Sequence, residues 1–180
     1  MTETLIQAVS SEEAIVVPEI AFRLFQRGDE DAFRELNGEW IAKYFRLEEH
    51  DHVQLSDPEG NILRAGGEIV MAVAGEERIG CCALIFVGPG VFEVAKMAVS
   101  ERYRGRGVGR KLLEYTIERA KELGAHKLEL ASNTKLANAV HLYESLGFRH
   151  MPPERVEPSP YARANVFMEL HLAPGVESHA

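Results

Sequence analysis

The sequence predicts an α/β fold, a mixed, largely antiparallel, twisted sheet of about six to seven strands with helices on both faces. Three observations carry it. Short apolar runs recur between turns rich in Gly, Pro and Asp, which is the rhythm of strands. Two of these runs, Ile69–Ala74 and Arg78–Val87, are separated only by Gly75-Glu76-Glu77, a hairpin signal. A long amphipathic segment after Gly109 lies between the strands Val91–Val99 and Lys127–Ala131, and a helical crossover of that kind makes the two strands parallel.

In chain order, residues 1–17 are mixed and acidic and are expected to form a loose arm. Residues 18–173 form one domain, and residues 174–180 a frayed tail. Ile20–Phe25 alternates apolar with small or polar residues and forms a first strand. Gly28-Asp29 opens a helix with Asp29 at its N-cap, and Phe33, Leu36, Trp40 and Tyr44 recur as its buried stripe. Leu47–Gly66 is less regular, with a turn at Asp57-Pro58-Glu59-Gly60 and a short helix before Gly66-Gly67. Gly88-Pro89-Gly90 ends the hairpin. The crossover helix buries Val108, Leu112, Thr116, Ala120 and Leu123 and stops at Gly124. Leu136, Val140, Tyr143 and Leu146 mark one face of a helix ending at Gly147. A Pro-rich loop, Met151–Pro160, leads into a last strand, Asn165–Leu172.

Composition limits the partners. The 180 residues carry a net charge of −8, which argues against nucleic acid, whose binding needs a basic surface. The longest apolar run, Cys81–Val87, is far too short to span a bilayer, so no membrane is expected as a partner. Met1–Ser10 lacks the basic region and long apolar stretch of a signal peptide. The two cysteines, Cys81 and Cys82, are adjacent; neighbours on a strand point to opposite faces and do not pair. A cytoplasmic setting fits them. The seven histidines show neither pairing nor metal-ligand spacing, and no metal is expected.

Chemistry enters at Arg104-Gly105-Arg106-Gly107-Val108-Gly109, between a strand and a helix. Glycines let a backbone approach an anion with its N–H groups exposed, and the helix adds the positive end of its dipole. A pyrophosphate is the natural guest, with Arg104, Arg106 and Arg110 adding charge at its edge. A Walker loop is excluded because Gly109-Arg110-Lys111 does not supply Gly-Lys-Ser/Thr. A dinucleotide fingerprint needs a third glycine where this chain has Leu112.

The remaining Arg-x-x-Gly-x-Gly pattern resembles the GNAT superfamily of N-acetyltransferases. Lys96–Gly124 looks like that family's strand, pyrophosphate loop and helix; His141–Phe148, HLYESLGF, looks like its next helix; Tyr161–Leu170 looks like its closing strand. The resemblance covers about Ile20 to Leu172 in the family's order of elements. It implies acetyl-CoA as co-substrate and a splayed parallel strand pair forming the CoA cleft. Backbone groups of Met97, Ala98 and Val99 would pair with pantetheine, and amides from Arg104 to Arg110, through Gly105, Arg106, Gly107, Val108 and Gly109, would hold the pyrophosphate. The family often has asparagine seven residues before the helix tyrosine; that position is Leu136 here, with Asn133 and Asn138 nearby as further coenzyme contacts.

The resemblance also implies roles in acetyl transfer to an amine. Tyr143 is the expected acid for the leaving thiolate, since a phenol is protonated at neutral pH. Glu93 is the expected base and acceptor contact; it lies six residues before Val99, and period two would place both side chains on one face. The backbone N–H near Val99 would polarise the carbonyl. Tyr161, Arg163 and Asn165 would line the acceptor mouth, with Arg163 suited to an acceptor carboxylate. The acceptor would be a small-molecule or peptide amine. A protein lysine or N-terminal acetyltransferase, a non-catalytic CoA sensor and a homodimer all remain compatible with the sequence.

Overall fold

The computed structural model describes residues 18–173; the arm expected over 1–17 and the tail over 174–180 lie outside them. Strands β1 (Ile20–Leu24), β2 (Glu68–Ala74), β3 (Glu77–Gly88), β4 (Val91–Val99), β5 (Lys127–Ser132), β6 (Arg149–His150) and β7 (Val166–His171) form one sheet in the order β1-β2-β3-β4-β5-β7-β6. Every neighbouring pair is antiparallel except β4 and β5, the pair joined by the crossover helix. The four longer helices are α1 (Glu30–Tyr44), α2 (Glu49–Ser56), α3 (Val108–Glu122) and α4 (Ala137–Ser145).

The apolar core lies on both faces of the sheet. On one face Leu112, Leu113, Ile117 and Ala120 of α3 pack against Val70, Cys82, Leu84 and Val94, and α4 leans on the same layer through Val140, Tyr143 and Leu146. On the other, Phe33 and Leu36 of α1 pack against Met71, Cys81, Ala83 and Ala98. Leu123, expected inside, is 38% exposed, because α3 has ended there and the chain turns away at Gly124 with φ 79°. Tyr44, also expected inside, is 41% exposed. The C-terminal half of α1 overhangs an opening beside β4, so Trp40 and Tyr44 border a cavity while Ile41 takes the buried place.

The irregular stretch after Leu47 holds α2 and a wide helical turn at Glu59–Leu63. Gly67 ends it by close approach: a Cβ there would lie 2.3 Å from the Leu84 carbonyl oxygen. The two-residue strand β6 carries no alternation that a sequence could reveal; it exists because β7 offers it an edge.

Two departures from regular pairing shape the middle of the sheet. Ala83 faces Ala95 and Cys81 faces Ala98, so β4 carries one residue more than β3 across this interval. This bulge holds Lys96 at φ 50°. It also reverses the alternation, correcting the expectation that Glu93 and Val99 share a face. Glu93 pairs with Ile85 on the α1 side, whereas Val99 pairs with Gly80 and packs on the α3 side. The second departure is the parallel pair, which runs only from Val91 opposite Lys127 to Glu93 opposite Glu129. Beyond that point β5 follows β7 and the two strands part.

Asp29 stands at the N-cap of α1 but makes no side-chain cap bond. Its buried carboxylate instead receives Arg23 at 2.6 and 3.0 Å, Arg78 at 3.0 Å and the Gln26 N–H at 2.9 Å. Burial alone would push its pKa up; these donors outweigh burial and hold it at about 2. A carboxyl whose folded pKa is depressed contributes stability above its unfolded pKa and loses it as pH falls through the folded one. Asp29→Asn should therefore cost about 2–3 kcal/mol near neutral pH. In urea melts, the gap between parent and variant should close as pH drops from about 4 toward 2.

Candidate functional site

The opening between β4 and β5 holds two connected cavities. The larger, about 540 Å³, runs from Met97, Ala98 and Val99 past Arg104, Gly105 and Gly109 to Asn138 at the start of α4. The smaller, about 110 Å³, is bordered by Glu93, Lys96, Tyr161 and Arg163 and by the rings of Trp40 and Phe45. Trp40, Met97, Leu136 and Tyr143 border both and so form the throat between them.

The larger cavity meets the N-terminus of α3. Gly105 and Gly107 lie at φ 73° and 77°, a region that costs L-residues strain. The first bond of α3 runs from the Lys111 N–H to the Gly107 carbonyl, which leaves the amides of Val108, Gly109 and Arg110 without helical partners. The exposed glycine turn and these amides suit an anion. The arginines divide. Arg106 is exposed and stacks over Tyr103, and Arg110 reaches Ser145 at 2.6 Å. Arg104, expected at the phosphate edge, turns back and donates Nε–H to the Val99 carbonyl at 3.0 Å, bracing the end of β4.

Tyr143 packs edge-on against Phe148, and its hydroxyl bonds no other described residue. Burial, and secondarily Cys82, pushes its pKa up, so it stays protonated. Glu93 accepts no hydrogen bond within the described residues; burial pushes its carboxyl up, Lys96 pulls it down, and neighbouring Glu129 pushes it up again.

The other expected contacts are partly committed. Arg163 borders the smaller cavity, but its guanidinium grips Asp51 at 2.7 and 2.9 Å and Glu48 at 3.1 Å. It is therefore a poor lone partner for an acceptor carboxylate. Asn165, expected at the mouth, bonds the Thr134 N–H and hydroxyl at 2.9 and 3.2 Å and does not border the cavity. Asn133 accepts from the Lys135 N–H and donates to the Arg163 carbonyl, holding the end of β5 to the loop before β7. Asn138 is exposed on the larger cavity. Tyr161 accepts a bond from Lys96 Nζ at 2.6 Å and donates to Gln54 at 3.2 Å. Sequence reasoning passed over Lys96 and Asp51. A lysine inside VFEVAKMAV was the available signal, but plain alternation would set it on the face opposite Glu93.

A family model, the acetyltransferase (GNAT) family, matches residues 29–148. The chain belongs to the GNAT family. The Bacillus subtilis protein named uncharacterized N-acetyltransferase YvbK is 33% identical over 103 residues, which cover 56% of this chain and 66% of that protein. Uncharacterized N-acetyltransferase C1271.07c of Schizosaccharomyces pombe is 32% identical over 108 residues, 58% of this chain and 64% of its own. This GNAT chain thus spans slightly less than two thirds of either relative. A GNAT acetyltransferase structure from Staphylococcus aureus Mu50 superposes with TM-score 0.78 at 23% identity, covering 86% of this chain and 100% of that one. The structure of yncA from Salmonella typhimurium with its cofactor acetyl-CoA gives TM-score 0.68 at 20% identity, with 89% and 96% covered. These likenesses establish a shared GNAT fold. Among the described residues no helix is long and apolar enough to cross a membrane.

Neither cysteine is placed to carry an acyl group. Both are fully buried. Burial pushes both thiols up, Cys82 to about 12. Since the thiolate is the reactive form, neither should react with a disulfide reagent in the native protein, and both should titrate after denaturation. Rapid labelling of native protein would contradict this placement.

Proposed function

We propose that this chain transfers an acetyl group from acetyl-CoA to the primary amine of a small molecule, by direct attack within a ternary complex. The observation that carries the proposal is the position of Tyr143, a protonated phenol at the throat between a groove suited to the coenzyme and a cavity holding Glu93. The residues present fit acetyl-CoA. Left-over amides of α3 and the exposed glycines match the pyrophosphate, and the edge of β4 past Glu93, unpaired toward β5, matches the amides of the pantetheine arm. Bound acetyl-CoA would supply the thioester that holds the acetyl group.

The chain's own groups supply the proton transfers. Glu93 takes a proton from the acceptor ammonium and leaves the nitrogen its lone pair; burial makes this carboxylate a stronger base than usual. As the new C–N bond forms and the C–S bond breaks, Tyr143 gives its proton to the departing sulfur, and the nitrogen's second surplus proton passes through water to the Tyr143 phenolate, which restores the phenol and leaves the neutral amide. A backbone N–H near Val99 would polarise the carbonyl. The size of the acceptor cavity and its aromatic walls favour a small molecule over a protein lysine or N-terminus. A sensor that binds coenzyme without turnover would need the groove but not an unpartnered Glu93. A cytoplasmic setting suits the reading, which holds whether or not two copies pair.

Acetyl-CoA at 100 times its dissociation constant should add about 2.7 kcal/mol to stability in a thermal shift. Tyr143→Phe should keep that shift and lower kcat by roughly 10²-fold or more. Glu93→Gln should also keep it, with a rate defect that shrinks at high pH, where more amine is already neutral. Thiol release across an amine panel measures the turnover of the parent and both variants. Binding without release by the parent would favour the sensor, and parental turnover by Tyr143→Phe would remove the tyrosine from the chemistry.

A further inference from the structure

The acceptor cavity contains a buried ammonium that none of these steps uses. Lys96 borders the cavity with a side chain only 4% exposed, on a backbone held at φ 50° by the bulge. Strained positions of this kind persist only when their surroundings enforce them, and they collect at functional sites. Here the enforcement is visible. Asp51, fully buried and not itself on the cavity, accepts from Lys96 Nζ at 3.0 Å, and the Tyr161 hydroxyl accepts at 2.6 Å. These bonds use two of the three N–H donors of the ammonium. The third has no partner among the described residues, and no hydrogen bond joins Lys96 to Glu93. Beside it Arg163, tied to the same Asp51, has an Nε–H unpaired among the described residues.

We infer that Lys96 binds a carboxylate of the acceptor, which is a free amino acid or a similar small zwitterion with its amine toward Glu93. This rests on the acetyltransferase reading and names the substrate class within it. The cavity offers both halves of such a molecule a partner. Glu93 meets the amine, and a spare N–H on a desolvated cation meets the acid, where a charge-assisted bond is strong. Arg163, which the sequence alone nominated for this task, instead shares Asp51 and adds positive potential from the side. Burial depresses the lysine, and Asp51 only partly restores it. An acceptor carboxylate would bring further counter-charge. The small cavity suits one residue-sized molecule.

The test measures thiol release with acetyl-CoA for each proteinogenic amino acid beside its own α-amide, which keeps the amine and removes the negative charge. In the parent, the best free acids should exceed their amides in kcat/KM by about tenfold or more. Lys96→Met should raise KM for those acids by about 10- to 100-fold and bring the acid-to-amide ratio toward one, and Lys96→Arg should recover part of the ratio. An unchanged acetyl-CoA thermal shift checks that the variants fold; if they do not, the parent's ratio decides alone. Acids and amides turned over equally, or a ratio indifferent to Lys96→Met, would overturn the inference and leave the acetyltransferase reading intact. No thiol release with any acid, amide or simple amine, despite coenzyme binding, would overturn both.

Discussion

Between Ala95 and Ala98 the fourth strand carries one residue more than its partner, and the geometry of the cleft depends on that mismatch. The extra residue turns Met97 and Val99 toward α3, where they approach Gly109 in the first turn of the helix, just after the glycine turn. It keeps Ala98 on the α1 layer and brings Lys96 to the side on which Glu93 lies. A regular strand would alternate without interruption and could not place Glu93, Lys96 and the Met97–Val99 edge as they stand. The energetic cost of a left-handed lysine is offset by buried Asp51 of α2 and by half-buried Tyr161 in the loop before β7.

Those partners make the wall of the smaller cavity a long-range construction. Glu48 and Asp51 form a capping box at the start of α2, and the same two carboxylates take up the Ala162 N–H and the Arg163 guanidinium. A local helix signal and a tertiary clip thus share the same atoms. Asp51 is held at a pKa of about 2: burial opposes ionisation, and the donors from Arg163, Glu48 N–H and Lys96 more than compensate. Asp51 therefore stays charged across ordinary pH and holds the wall in shape, whereas Glu93 has no such partners among the described residues.

The two strands that part after Glu93 link this wall to the larger cavity. Their separation leaves one edge of β4 unpaired toward β5, and the opening sets Tyr143 where the two cavities meet. Arg104 closes the end of that edge by bonding Val99, so the arginine nearest the strand braces backbone while Arg106 and Arg110 remain outside.

Local pattern determined much of this protein. The hairpin of β2 and β3, the crossover helix, the parallel partnership of β4 and β5 and the glycine turn were legible because turn chemistry and periodicity are local properties. Motif resemblance singled out Tyr143 and Glu93, and the structure brings both to the border of the smaller cavity. What the sequence could not state was parity and commitment. A bulge has no signature in VFEVAKMAV, so the face of Lys96 and the parting of Glu93 from Val99 followed only from pairing with β3. The commitment of Arg163 to Asp51, of Asn165 to Thr134 and of Asp29 to two arginines depends on residues brought together by tertiary structure, which periodicity does not encode. Trp40 and Tyr44 kept the helical spacing of a core stripe, yet the sheet beneath them opens, and the stripe became the roof of a cleft.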